Sequence, residues 1–183
     1  MAGKQITLFC AEDQPRPRSG ELLAQAVGLW SRETGTPRDK LSMARTDRGK
    51  PFFPDAPQVH ISVTHSGRFW LCALAEQPLG IDLQQIRPVE AEKLARRFFH
   101  PQEADYVAAH PESFFRVWCA KESYVKLTGA GISDRFGEFS VVRDGAIRGE
   151  TEKTEFSFLP FAEGYVLCFC TEVPFELRRW MLT

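Results

Sequence analysis

Long hydrophobic runs are missing from this chain of 183 residues. No apolar stretch approaches the ~20 residues that a membrane-spanning helix needs, so no membrane span is expected. Met1-Ala2-Gly3-Lys4 is not followed by the apolar core of a signal peptide, and the cytoplasm is the expected compartment. Cysteine is sparse. The five, Cys10, Cys72, Cys119, Cys168 and Cys170, form no CxxC pair and have no His-rich partner, which argues against a zinc site. All lie in apolar segments and are expected as reduced, mostly buried thiols, a poor setting for a cysteine nucleophile. Repeats, low-complexity segments and Gly/Ser linkers are absent as well.

What is present suits a globular protein: 43% hydrophobic and 26% charged residues. A chain of this length buries one good core, or two small lobes sharing a seam. Its net charge of -1 is unevenly spread, with residues 1–79 at +2 and residues 80–183 at -3. Arg38, Lys40, Arg45, Arg48 and Lys50 outnumber Asp39 and Asp47 between them, which suits a phosphate-rich ligand, an acidic partner or a solvated basic loop. Aromatic residues do not interleave this run as on a single-stranded nucleic-acid platform, so nucleic acid is not an expected partner.

Residues 5–10 read as a strand, followed by a turn-rich segment to Pro17. From Ser19, the expected N-cap, Leu22, Leu23, Ala26, Val27 and Trp30 form an apolar helical face ending near Gly35. Val59, Ile61 and Val63 alternate with His60, Ser62 and Thr64, the period of a half-buried strand, and residues 69–75 return as a second strand. His65 sits at the hairpin tip beside Ser66 and Gly67. A turn histidine is usually structural, but imidazole, hydroxyl and open glycine amides also suit a phosphate. In the strand at 79–85, Gly80, Asp82 and Gln84 share one face. Asp is disfavoured in strands, and either edge exposure or a hard cation such as Mg2+ accounts for it. Helices follow at 89–99, from Pro101 and from Pro111, and beyond Gly131 the pattern is all strand, with an Asp144-Gly145 hairpin signal.

The helix through residues 114–129 carries the densest signal. Phe115, Trp118 and Val125 recur at helical spacing with Glu122 in register, Lys126 lies one turn beyond Glu122, and Gly129 is the stop. A buried Glu122–Lys126 ion pair on an ordinary helix and a functional pair are both open on this segment alone.

Trp118-Cys119-Ala120-Lys121-Glu122-Ser123, followed by Lys126 and by Gly129 and Gly131, resembles the W-x-x-K-E-[AS]-x-x-K signature of 4'-phosphopantetheinyl transferases. Gly80-Ile81-Asp82 is similar to that family's G-[IV]-D strand. His65-Ser66-Gly67 resembles its S-H-S-G turn, with Thr64 for the first Ser, and Gly49-Lys50-Pro51 resembles its G-K-P motif. Arg97-Phe98-Phe99 with Glu103 matches the segment between the main motifs. Each motif is weak alone; five in the family's order are specific.

The resemblance, to the Sfp-type members, implies an α+β fold of two pseudo-symmetric lobes, each a small antiparallel sheet packed against a long helix, with the site in the seam. The expected lobes are 1–79 and 80–183, the second carrying the metal-binding motifs, and the expected state is a monomer. The implied reaction moves the phosphopantetheine arm of coenzyme A to a serine of an apo acyl or peptidyl carrier protein, releasing 3',5'-ADP. By family position, Asp82 and Glu122 are Mg2+ ligands, with Gln84 beside them, and Glu122 is also the base. Lys126 serves the leaving phosphate, Lys50, His65 and Ser66 hold coenzyme A, and Arg18 and Ser19 reach its 3'-phosphate. The carrier's acidic helix would meet the basic residues 38–50 or exposed apolar residues of the first lobe. Gln84 stands where many Sfp-type enzymes have a second acidic residue, so weaker metal affinity or a water in that position is expected, not loss of activity. A relative that binds coenzyme A or a carrier without efficient turnover, a different Mg2+-dependent phosphohydrolase and a purely structural protein are the alternatives.

Overall fold

The computed structural model describes residues 4–12, 18–130, 134–149 and 153–183. Gly131 and the turn-rich residues 13–17 lie outside these described residues. In chain order the elements are β1 (Lys4–Glu12), α1 (Ser19–Thr34), β2 (Ala44–Arg45), β3 (Pro51–Phe52), β4 (His60–Ser66), β5 (Phe69–Ala75) and β6 (Leu79–Gln85). Then come α2 (Ala91–Phe98), α3 (Pro101–Ala109), α4 (Phe114–Thr128), β7 (Val142–Arg143), β8 (Ala146–Ile147), β9 (Glu155–Leu159), β10 (Tyr165–Thr171) and β11 (Phe175–Met181).

Mixed α and β structure is thus organised on two principal sheets, in the orders β11-β1-β5-β4 and β6-β10-β9. In the first, Phe9, Cys72 and Leu74 face α1, meeting Leu22, Ala26, Val27 and Trp30. Ile6, Leu8, Leu71 and Ala73 point the other way, onto Ile81, Leu83, Leu167 and Phe169 of the second sheet. Burial on both faces explains why β5 is apolar without alternation. The far side of the second sheet carries α4, and Ala95, Val107, Phe114, Val117 and Cys168 build a third cluster there. Gly80 permits this packing, because a Cβ there would run into the backbone of α4 at Ser123 and Leu127.

The helix ends, the hairpin turn, the helix restart at Pro101 and the buried thiols are as expected. Gly35 and Gly129 end α1 and α4 in the left-handed region, at φ 73° and 72°. The Asp144-Gly145 turn joins β7 to β8 with both residues at positive φ. His100 caps α3 in a reciprocal box with Glu103, with Pro101 at its first turn. All five cysteines are free and buried. Among the described residues no helix is long and apolar enough to cross a membrane.

Other expectations need correcting. Ser19 is the first helical residue, and Arg18 takes the N-cap position expected of Ser19. On α4 the stripe is not one face: Phe115 and Trp118 are only half-buried, while Lys121, Glu122 and Ser123 are buried, because the helix is covered on most sides. The first sheet is not wholly antiparallel. β11 pairs in parallel with β1, from Lys4 opposite Phe175 to Cys10 opposite Met181, so the end of the expected 80–183 lobe returns to the sheet of the 1–79 lobe. Nor is β4 half-exposed in the expected way: Ser62 and Thr64 are buried, facing β6.

Candidate functional site

Asp82 owes its position to the seam between β4 and β6, outer strands of different sheets. It is only 2% exposed, which removes edge exposure as the reason for a strand aspartate. Thr64 Oγ1 lies 3.0 Å and Lys126 Nζ 2.7 Å from its Oδ1, and Gln84 Nε2 lies 2.7 Å from its Oδ2. Cys119 donates its thiol to the Asp82 backbone carbonyl at 3.0 Å. The cation expected beside Glu122 therefore pairs with Asp82 of β6, the strand beneath α4, and the simple Glu122–Lys126 salt bridge does not form.

Glu122 projects from α4 toward the same place and is 7% exposed. Burial, then the Asp82 charge, push its carboxyl up from the ordinary range to about 7, against a smaller opposing pull from Lys126. Two carboxylates share a poorly hydrated space, and among the described residues none donates a hydrogen bond to Glu122. A cation would relieve both penalties. Among the described residues no group of three or more His, Cys, Asp or Glu is gathered for a metal. Two carboxylates plus the amide oxygen of Gln84 are nonetheless a hard-oxygen donor set that fits a divalent cation completed by water or ligand oxygens.

Beside this pair opens a cleft of about 490 Å³. Leu23 of α1, Ile61 and Val63 of β4 and Trp70 of β5 make its apolar wall, and Arg45, Arg48, Lys50 and Lys126 its cationic side. Ser19 also lines it. Lys126 belongs to both places: it lines the cleft, and its ammonium lies on Asp82. Lys50 donates to the Leu127 carbonyl at the end of α4, and burial pushes its pKa down. Arg48 reaches the nearby Ala130 carbonyl at 3.4 Å. The turn at 46–50 thereby supplies cations to the negative end of the α4 dipole.

The structure brings Asp82, Gln84, Glu122 and Lys126 together and sets Lys50 and Ser19 on the adjoining cleft. His65 and Ser66 are not on the cleft wall. His65 is exposed at the end of β4, and the Ser66 hydroxyl accepts from the Gln85 backbone. Arg18 is exposed just ahead of α1. Two features escaped sequence reasoning. Thr64 is an Asp82 partner, signalled only by the hydroxyls at alternate positions 62, 64 and 66. Lys121 is wholly buried, at 2.7 Å from Glu103, and this is the true buried ion pair of α4.

Residues 78–170 match the family model of the 4'-phosphopantetheinyl transferase superfamily, a span that contains Asp82, Gln84, Glu122 and Lys126. The chain belongs to this superfamily. It is 35% identical over 135 residues to the 4'-phosphopantetheinyl transferase Sfp of Bacillus subtilis, an alignment covering 71% of this chain and 59% of that relative. It is also 30% identical over 126 residues to the 4'-phosphopantetheinyl transferase gsp of Aneurinibacillus migulanus (66% and 51% of the two chains). With the 4'-phosphopantetheinyl transferase HetI of a Nostoc species it shares 38% over 96 residues (47% and 40%). The chain thus spans about half the length of these curated relatives, from 40% to 59%. Gly80 and Gly129 of this phosphopantetheinyl transferase superfamily member have physical reasons of their own, a close strand–helix approach and a left-handed helix end.

Proposed function

We propose that this chain transfers the 4'-phosphopantetheine arm of coenzyme A to a serine hydroxyl of an apo acyl or peptidyl carrier protein, releasing 3',5'-ADP. The observation that carries this reading is Lys126, whose one side chain joins a cationic cleft to the buried Asp82 carboxylate, beside which Glu122 lies. In the transfer a bond forms between the serine oxygen and phosphorus, the bond from phosphorus to the ADP oxygen breaks, and the serine proton must leave. Glu122, with its carboxyl near neutrality, takes that proton directly or through a water. Lys126 turns from Asp82 to the departing phosphate and stabilises its charge. Lys50, with Arg45 and Arg48 around it and Ser19 on the same cleft, holds phosphate groups, and Arg18 and Ser19 are assigned to the 3'-phosphate by family position. His65 and Ser66, at the end of β4, are assigned to coenzyme A by family position.

Asp82 and Glu122, with Gln84 through its carbonyl oxygen or a water, would hold Mg2+, which when bound neutralises pyrophosphate charge. The lobes meeting here are residues 1–79 and 80–183, with β11 returned to the first, and the working form is a cytoplasmic monomer. Incubation with coenzyme A, Mg2+ and a panel of apo carrier proteins, read by intact mass, tests the reading. A carrier gaining one phosphopantetheine arm is the expected result. Binding of coenzyme A with no mass gain on any carrier overturns it in favour of a relative without efficient turnover.

A further inference from the structure

Between β4 and β6 a row of hydroxyls meets backbone amides. Ser62, Thr64 and Ser66 accept from the N–H groups of Ile81, Leu83 and Gln85 at 3.0, 3.3 and 2.9 Å. The offset is the same at each rung, so the row joins the edges of the two principal sheets. Thr64 alone among the three carries a bond onward to a carboxylate, with Oγ1 3.0 Å from Asp82 Oδ1. The direction of that bond follows from proton count. The Leu83 N–H can only donate, so the Thr64 oxygen accepts it, and the single hydroxyl proton goes to the carboxylate, which only accepts when ionised.

We infer that Thr64 is a positioning residue for Asp82, holding Oδ1 from across the seam while Oδ2 keeps an acceptor position open. Oδ1 receives both Thr64 and Lys126, which fills its two acceptor positions, whereas Oδ2 receives Gln84 and keeps one. Lys126 gives up Oδ1 whenever its ammonium turns to an anion. Thr64 then remains on that oxygen, and the carboxylate keeps its orientation while the charge next to it moves. This rests on the proposed role of Asp82 in the site. The chemistry needs a hydroxyl, not threonine itself: Thr64→Ser keeps the donor, and Thr64→Val keeps the shape without it.

Urea unfolding of the full chain without ligand, for Thr64→Val, Asp82→Ala and the double variant, tests the contact directly. The expected coupling is on the order of tenfold in the unfolding equilibrium constant. Ser62→Ala orphans the Ile81 N–H in the same manner but touches no carboxylate, and it is expected to add with Asp82→Ala. Additivity of the Thr64 and Asp82 variants, or equal coupling from Ser62, overturns the inference. A second reading uses MgCl2 alone and the thermal midpoint: wild type and Thr64→Ser rise, and Thr64→Val needs several-fold more Mg2+. An equal response of wild type and Thr64→Val also overturns it. If Mg2+ leaves the wild type unchanged, the metal reading of Asp82 fails, and the urea cycle still decides whether Thr64 holds that carboxylate.

Discussion

Lys121 and Glu122 are consecutive residues of α4, both buried and both charged, and they meet opposite surroundings. Lys121 donates to both oxygens of Glu103, at 2.9 and 2.7 Å, and to the Phe139 carbonyl at 2.7 Å. Glu103 also receives the Val141 and His100 backbone amides. The Phe139 ring lies 4.0 Å from the ammonium. All three ammonium protons are used, within the protein. Glu122, about 100° further round the helix, faces a second carboxylate and a cation already engaged with that carboxylate. A closed polar network specifies structure, whereas an open one is poised to receive a ligand.

The largest effect should come from the open side. Glu122→Gln is expected to lower the proposed transfer to a carrier by at least about a thousandfold, with the urea midpoint unchanged or raised, since it removes an unsatisfied carboxylate. A destabilised but active variant would reverse the comparison. Next comes the closed side, where Lys121→Met strands Glu103 and should cost about 3–5 kcal/mol of unfolding free energy. Adding Glu103→Leu should return most of that loss, because the pair is replaced by apolar groups as a unit; a double variant worse than the single one would contradict this.

The pH dependence tests the open side further. The Glu122 carboxyl is raised to about 7 in the folded protein, so the folded state holds its proton more tightly than the unfolded chain. Its contribution to stability is fully present below the unfolded carboxylate range and is lost as pH rises through about 7. Without ligand the wild type should lose on the order of 2 kcal/mol between pH 5 and pH 8 from this group. Subtracting the same curve for Glu122→Gln isolates it, and identical curves would refute it.

Gln84→Glu sharpens the picture at smaller scale. Gln84 now donates to Asp82, and a carboxylate in its place repels it, so the ligand-free variant should unfold about 1 kcal/mol more easily. MgCl2 should reverse that loss, with a steeper dependence of rate on Mg2+; an unchanged dependence removes Gln84 from the metal's surroundings. The smallest effect concerns the thiols. Burial pushes Cys10 up to about 11 and Cys168 to about 12, so a thiol reagent should label almost nothing at pH 8 until urea is added.

Local pattern carried much of this protein. Helix ends at Gly35 and Gly129, the 144–145 turn, the buried thiols and the motif order from Gly49 onward all follow from residues close together in sequence, because dihedral preference and periodicity are local properties. The partner of Lys126 did not follow. Helical spacing offers Glu122 four residues earlier, and only the packing of β6 against α4 supplies Asp82 instead. The same holds for Lys121, whose counter-charge comes from α3, and for Thr64, whose proton goes to a residue on another sheet. β11 reads correctly as a strand, yet its parallel place beside β1 is a choice of tertiary edge that alternation does not encode. Sequence alone determined which residue types were available and on which face of each element they stood. Which charges meet was decided in the tertiary structure, since burial removes water as the alternative partner and leaves each charged group to the one neighbour the fold brings within reach.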